Sequence, residues 1–264
     1  VWPIVRDNRR AIKEAVFEAA EACDMVLLNA GSSAGTKDYS ADIVQESGEL
    51  TVHGVELRPG KPLLLGVVKG KAIAGLPGYP VAALVDLDYF VKPLLFSLCG
   101  KTKSPEQVIE AVAASTISSK LGDEEHLRGK LTPIDGVTHF TPLPRGSAAL
   151  GSAVEADGVA LISPETEGVM EGEKFKVRLT DTCPPLDQSL IAVGSHSLLL
   201  HTLANELRTL DEPLFLTSIH VGSMGGVRAM ARRRATLAGI HLLEPDSGKY
   251  NLPFINKYLS HQPV

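Results

Sequence analysis

A loop of small and hydroxyl-bearing residues at positions 29–39 is the strongest chemical signal in the sequence. It follows the apolar run Met25–Leu28, which predicts a strand buried on both faces, and it precedes a polar segment that predicts a helix. Backbone N–H groups and hydroxyls in such a loop can bind a phosphate group. The residues that we predict to do so are Gly31, Ser32, Ser33, Gly35 and Thr36. The spacing matches neither a P-loop nor a dinucleotide fingerprint, and a plain tight connection is the alternative.

Two turns rich in proline and glycine are predicted to lie beside this loop. The first, residues 57–62, places Arg58 and Lys61 on either side of a rigid turn just before a strand. The second, residues 75–80, ends a strand and directs the N-terminus of a helix outward. Its predicted site residues are Pro77, Gly78 and Pro80. Either turn alone is more often structural, but with the loop, at strand ends of one sheet, they favour a site for a phosphorylated ligand.

The elements that must position these residues fall into three predicted parts. Residues 1–103 alternate helices and strands, which predicts an α/β domain with a mainly parallel sheet and helices on both of its faces. Residues 104–182 contain short runs broken by Gly, Pro, Asp and Glu, which predicts a small all-β domain. After a linker with two prolines, residues 188–264 return to the α/β pattern and predict a single lobe, truncated at its C-terminus. Because the chain begins inside an α/β pattern, we also expect further sequence before Val1.

Periodicity gives approximate bounds for individual elements. The predicted helices span residues 7–23, 80–98, 198–210 and 224–232. The predicted strands span residues 25–28, 63–68, 71–74, 137–143, 158–162, 175–179, 190–193, 214–219 and 237–243.

The last lobe repeats the placement of small polar residues after strands. Ser195 and His196 follow one predicted strand, and Gly222 and Ser223 follow the next. We expect both serines to lie at helix N-termini, where free N–H groups attract an anion, and to face one another across an oxyanion site. His196 is as well explained by capping or packing as by ligand contact.

Charge and composition exclude several classes of function. The 264 residues carry a formal net charge of -5, which gives no basic footprint for nucleic acid. No apolar run approaches the roughly 20 residues that cross a membrane. Three widely spaced cysteines argue against a disulfide framework and favour a cytoplasmic location.

The sequence motifs resemble one known family. GSSAGTKDY, VHGVELRPGKP and GLPGYPVAAL, in this order over about residues 1–100, resemble the molybdopterin molybdenumtransferases, whose α/β domain is shared with molybdopterin adenylyltransferases. The segments 146–148, 155–158 and 171–173 resemble the β-barrel of that family. The resemblance implies insertion of molybdate into adenylated molybdopterin with a divalent cation and release of AMP. The family carries further N-terminal domains, which complete the partner's site in a homodimer.

The resemblance also implies roles for particular residues. Asp38 and Asp7 would be catalytic and would supply carboxylates to Mg²⁺, which would neutralise the phosphates. Arg58 and Lys61 would hold phosphate or molybdate. For Asp7, the alternative is a plain helix cap.

The last lobe resembles, more weakly, the ligand-binding domain of periplasmic-binding-protein type found in LysR-type regulators. Such domains are fused to molybdenumtransferases, which suggests molybdate or tungstate as the ligand. Two alternatives to the transferase remain, a non-catalytic oxyanion sensor or carrier and an adenylyltransferase. The barrel and the extra lobe count against the adenylyltransferase.

Overall fold

The computed structural model describes residues 2–29, 39–102 and 105–259. The N-terminal part contains an α/β domain. Its elements are α1 (Arg9–Ala22), β1 (Met25–Asn29), α2 (Ser40–Ser47), β2 (Gly48–His53), β3 (Leu57–Arg58), β4 (Leu64–Val68), β5 (Lys71–Leu76), α3 (Pro80–Asp86), a π-helical turn (Leu87–Val91) and α4 (Lys92–Leu98).

The sheet of this domain is mixed, and the prediction of a mainly parallel sheet is wrong. Its order is β1-β5-β4-β2, in which β1 and β5 are parallel while β4 pairs antiparallel with both of its neighbours. The cause is the short turn at Lys69 and Gly70, which have φ angles of 52° and 73°. A two-residue turn with two positive φ angles joins antiparallel strands directly.

Helices cover both faces of the sheet, so the predicted three-layer architecture is confirmed. On one face, α1 and α2 bury Val16 and Ile43 against Ile73 of β5. On the other face, residues of the α3–α4 segment pack against Ala74 and Leu76. Adjacent β5 residues thus serve opposite cores, as strand geometry requires. β1 is less buried than predicted, because the side chain of Leu27 is 45% exposed.

The predicted helix 80–98 is interrupted by a π-helical turn. The N–H of Lys92 donates to the carbonyl of Leu87, five residues earlier. Pro93 comes next, and it has no N–H to offer. The wider turn lets the helix continue to Leu98 around this missing donor.

A closed β-barrel forms the middle of the chain. Its elements are β6 (Val108–Ala113), β7 (Ile117–Ser118), β8 (Glu124–Ile134), β9 (Val137–Pro142), α5 (Leu150–Glu155), β10 (Gly158–Ile162), β11 (Gly168–Val169) and β12 (Lys174–Leu179). The order β10-β12-β6-β9-β8 closes through a β10–β8 pairing, around a core centred on the fully buried Phe140. The predicted β-barrel is therefore confirmed.

The α/β domain and the barrel are joined by more than the chain connection. β3 belongs to the first part of the sequence, yet it pairs in parallel with β8, with Leu57 opposite Glu124. The N–H of Val81, at the start of α3, donates to the carbonyl of Ser147 at 2.9 Å. The predicted boundary at residues 103 and 104 remains a prediction.

The last part is a small α/β lobe. Its elements are a 3-10 turn (Leu186–Gln188), β13 (Ser189–Gly194), α6 (Leu198–Leu207), β14 (Phe215–His220), α7 (Ser223–Ala231) and α8 (Leu252–Leu259), and β13 and β14 are parallel. The predicted strand 237–243 is wrong. Leu237 and Gly239 accept hydrogen bonds from Val193 and Ser195, but the segment then turns away to bond with residues 249–251.

Among the described residues, no helix has the length and apolar character needed to cross a membrane.

Candidate functional site

The three sequence motifs of the first domain leave its sheet from one edge. Asn29 at the end of β1 is opposite Leu76 at the end of β5. Leu64 at the start of β4 is opposite Gly75 on one side and His53 at the end of β2 on the other. We call this line of residues the shared edge. Residues 54–63 and 77–79 extend from it, and β1 ends there at Asn29.

The anion loop itself lies outside the described residues. This applies to every loop position predicted to bind phosphate and to the predicted metal ligand that follows: Gly31, Ser32, Ser33, Gly35, Thr36 and Asp38. Their roles stay predictions. The strand that leads into the loop ends at the shared edge, beside the strand that leads into Pro77.

The turn at residues 57–62 contains a cationic cluster with one buried partner. The Nζ atom of Lys61 lies 2.9 Å from Oδ1 of Asp123, and the side chain of Lys61 is 62% exposed while that of Asp123 is 8% exposed. The hydrogen bond from Lys61 lowers the pKa of Asp123, and the charges of Lys120 and Arg58 act in the same direction. Asp123 thus holds Lys61 while Arg58 and Lys120 lie close enough to act on the same carboxylate.

The same turn rests on a buried carboxyl group. Gly60 has a φ of +126°, and a Cβ atom added to it would lie 2.3 Å from Oδ1 of Asp86. Asp86 is fully buried, and neither of its oxygens has a hydrogen-bond partner among the described residues. Burial raises the pKa of Asp86 to about 8, so the carboxyl is largely protonated at neutral pH. Only glycine fits this close approach.

The turn at residues 75–80 is attached to the barrel. Pro80 is the first residue of α3, where its missing N–H costs nothing. Pro77 and Gly78 lie between the shared edge and the start of α3. Residues 146–152 of the barrel support the start of α3, and Arg128 anchors them through a 2.8 Å hydrogen bond from Nε to Oγ of Ser152.

Arg128 is a residue that the sequence reasoning missed. It is 6% exposed, and its Nη1 atom has no hydrogen-bond partner among the described residues. Burial lowers its pKa, and the charge of Glu125 opposes that effect. Arg128, Val81 and Asp88 line a cavity of about 1120 Å³ between α3–α4 and the barrel. Because β8 carries several charged residues, the sequence alone does not single out Arg128, and only its burial does so.

Asp7 is not the cap of α1. Asn8 is the cap, because its Oδ1 accepts hydrogen bonds from the N–H groups of Arg10 at 3.0 Å and Ala11 at 3.2 Å. Asp7 is exposed, and its carboxylate makes no hydrogen bond or ion pair with the described residues. It lines an open groove of about 930 Å³ together with Tyr39, the first described residue after the loop. An unpaired carboxylate in this position fits a hydrated Mg²⁺ ion, which prefers oxygen ligands.

In the C-terminal lobe, the two serines predicted to bind an anion are close together, but their side chains form a hydrogen bond with each other. The Oγ atoms of Ser195 and Ser223 lie 2.7 Å apart, and Ser223 Oγ accepts a hydrogen bond from the N–H of His241 at 2.9 Å. The N–H of Gly222 donates to the carbonyl of Gly194. Ser223 is the first residue of α7, whereas α6 begins only at Leu198. The expectation that both serines lie at helix N-termini is therefore wrong for Ser195.

His196 neither caps a helix nor packs in a core. It is exposed, and its ring lies 4.6 Å from that of His220 and 6.1 Å from that of His201, measured between ring centroids. The sequence reasoning gave no role to His201 or His220, since strand register brings His220 to His196 and the placement of α6 brings His201 there.

Comparisons with known proteins match the chain in three consecutive segments. Residues 2–97 match the family described as "Probable molybdopterin binding domain", and residues 110–180 match the MoeA C-terminal region, domain IV. Residues 204–264 match the PBP superfamily domain.

Individual relatives agree with these matches. The molybdopterin molybdenumtransferase of Nostoc sp. is 34% identical over 145 residues, which are 53% of this chain and 33% of the relative. That of Staphylococcus aureus (strain COL) is 27% identical over 186 residues, 69% of this chain and 44% of the relative. A crystal structure of the molybdopterin biosynthesis MoeA protein from Pyrococcus horikosii matches with a TM-score of 0.54 and 32% identity, covering 66% of this chain and 42% of that one.

The chain spans less than half the length of each of these relatives. The order of its domains, its mixed sheet and its closed barrel agree with them. Over residues 2–180 the chain is therefore related to the C-terminal part of the molybdopterin molybdenumtransferase family, and a segment of the PBP superfamily follows.

Proposed function

We propose that the protein containing this chain acts in molybdenum cofactor biosynthesis, as a transferase that inserts molybdate into adenylated molybdopterin and releases AMP. The observation that carries the proposal is the shared edge, from which the segments bearing Lys61 and Pro77 extend and at which β1, the strand before residues 30–38, ends. The relatives named molybdopterin molybdenumtransferase support the same class of reaction.

The residues at this edge have the chemistry that a phosphoanhydride substrate requires. Arg58 and Lys61 provide positive charge beside a rigid turn, and Lys61 is exposed enough to turn from Asp123 toward a phosphate. Because solvent screens the exposed ammonium of Lys61, a doubly charged phosphate can compete with Asp123 for it. The role of the two cations is to bind and orient the phosphates, and that of Pro77, Gly78 and Pro80 is to hold the pocket wall in place.

Two carboxylates are proposed to hold Mg²⁺ at the phosphates. Asp7 lines a groove that also contains Tyr39, the residue next in sequence to Asp38, and this adjacency supports the choice of the pair. When bound, Mg²⁺ would neutralise phosphate charge as the bond between the two phosphates breaks. Asp7 and Asp38 would hold the ion through carboxylate oxygens.

Assembly and location belong to the same proposal. The family resemblance implies a homodimer in which the partner subunit completes the site. Three free cysteines, Cys23, Cys99 and Cys183, are consistent with a reducing cytoplasm. The sensor or carrier alternative has no observation of its own in its favour.

The test is release of AMP by the full-length protein from adenylated molybdopterin, with molybdate and Mg²⁺ present. We expect one AMP for each molybdenum inserted, and we expect release to require both molybdate and Mg²⁺. Binding of the substrate without AMP release under these conditions would contradict the transferase and leave a carrier.

A further inference from the structure

Three exposed histidines converge at the carboxyl edge of the β13–β14 sheet. His220 is the last residue of β14 and lies opposite Gly194, the last residue of β13. His196 follows Gly194 by two residues, and His201 is the fourth residue of α6. Their nearest ligand nitrogens all lie within 4.8 Å of one another.

The backbone under His196 and His220 is fixed by short contacts. The carbonyl of Gly194 accepts hydrogen bonds from the N–H groups of Val221 at 3.0 Å and Gly222 at 3.1 Å. A Cβ atom on Gly194 would lie 2.3 Å from the carbonyl oxygen of Gly239, so only glycine fits at this position. These contacts hold the two histidine-bearing segments in one relative position.

The third histidine is positioned by the start of α6. The side chain of Ser197 caps this helix by accepting a hydrogen bond from the N–H of Leu199 at 3.3 Å. His201 lies one turn later, and its ring centroid is 6.5 Å from that of His220. The backbone positions of all three histidines are therefore fixed, while their exposed side chains can rotate.

The composition of the cluster suits a metal ion that prefers nitrogen ligands. No aspartate or glutamate belongs to this cluster among the described residues. Three protonated imidazoles at this separation would repel one another, whereas three neutral ones offer three nitrogen lone pairs to a single cation.

We propose that His196, His201 and His220 bind one divalent transition-metal ion, with Zn²⁺ as the best fit. Imidazole nitrogen is a preferred ligand of Zn²⁺, and three protein ligands leave a fourth position for water or an anion. Tetrahedral coordination with bonds of about 2.0–2.1 Å places ligand nitrogens about 3.3 Å apart. The ligand nitrogens now lie within 4.8 Å of one another on exposed side chains, and we expect rotation of these side chains to close the remaining difference. This site is independent of the molybdopterin chemistry at the shared edge.

The test is titration of Zn²⁺ into the tag-free, chelator-treated full chain, followed by calorimetry. We expect one Zn²⁺ per chain with a dissociation constant of about 10 μM or tighter. His201→Ala should weaken binding at least tenfold, since His201 is exposed and its loss leaves the fold intact. His53→Ala, which removes an exposed histidine from β2, should bind Zn²⁺ as the wild type does.

Cobalt provides a second readout that does not depend on heat. Co²⁺ added to the wild type and to His53→Ala should give the intense visible absorption of a tetrahedral site, and His201→Ala should give none. Absence of Zn²⁺ binding below about 100 μM, or equal affinity in the wild type and His201→Ala, would overturn the proposal.

Discussion

The first α/β domain and the C-terminal lobe both place polar residues where parallel strands end, but they use these residues differently. In the first domain a four-stranded sheet has a core on each face, and Lys61, in the segment that leads to the shared edge, keeps an exposed side chain although it pairs with Asp123. In the lobe a two-stranded sheet has one small core, and Ser195 and Ser223 bond to each other. A similar sequence pattern therefore leaves an exposed cation near the end of the sheet in one region and a self-satisfied contact in the other.

The difference follows from how much of each region is packed. Helix α6 has no buried residue, and Leu198 and Leu199 are 76% and 72% exposed. With few neighbours, the polar groups at the end of β13 can only bond with one another and with the segment through His241. In the first domain, the barrel supports the edge from outside through Ser147 and Arg128.

The largest effect is expected at the loop of the first domain. Asp38→Asn in the full-length enzyme should lower turnover at least tenfold, about 1.4 kcal/mol of barrier, because it removes a proposed Mg²⁺ ligand. The control is Asp42→Asn, an exposed position in the first turn of α2. The measurement is the rate of AMP release by the two variants and the wild type. Near-wild-type release from Asp38→Asn would remove this residue from the proposed site.

The buried carboxyl beneath the turn at residues 57–62 is expected to change stability rather than turnover. Asp86 keeps its proton up to a pKa of about 8 in the folded state, while the unfolded chain loses it near 3.8. Between these values the folded state binds more protons, so stability should fall as pH rises, by at most about 1.4 kcal/mol per pH unit.

Asp86→Asn should abolish that slope, since the amide does not titrate. The measurement is the free energy of unfolding in denaturant at pH 5, 6, 7 and 8 for both proteins. His126 and His139, whose pKa values are lowered by burial, contribute with the opposite sign below about pH 6.5 in both proteins. Parallel pH profiles would show that Asp86 is already ionised at neutral pH.

The smallest effect is expected in the C-terminal lobe. Ser223→Ala removes the acceptor for the N–H of His241, a loss of about 1 kcal/mol, which should speed hydrogen exchange of the His241 amide about fivefold. Ser218→Ala is the matched control, because the Ser218 hydroxyl makes no hydrogen bond with the described residues. Unchanged exchange in Ser223→Ala would mean that this contact does not hold the lobe together.

The sequence predicts most helices and strands of the fold. It gives the wrong direction for β4, and it predicts a strand at residues 237–243 that does not form. Short apolar runs and caps locate β1, α1, β5 and the barrel strands β9, β10 and β12 within a few residues, whereas the barrel strands β6 and β8 were not predicted. The antiparallel direction of β4 was already implied by the two-residue turn at Lys69 and Gly70, but the alternation of helices and strands outweighed it. The prediction of a strand at residues 237–243 was wrong because apolar side chains do not specify which segment the backbone will pair with.

The candidate site was predictable where it depends on local sequence and hidden where it depends on tertiary contacts. Glycine and proline spacing identifies the turns that carry Lys61 and Pro77. Nothing in the local sequence places Asp86 under Gly60, or brings His201 to His196 and His220, because pairing register and helix packing create those contacts.

The central claim is that the shared edge binds the phosphates of adenylated molybdopterin. It is tested most directly by replacing two lysines, one near each end of β4. Lys61 precedes β4 at the shared edge, and Lys69 lies in the turn at the opposite end, paired with Glu21. Calorimetry with adenylated molybdopterin should show binding about tenfold weaker in Lys61→Ala, from loss of a charged hydrogen bond, and unchanged in Lys69→Ala. Equal affinity in the wild type and both variants would contradict the account.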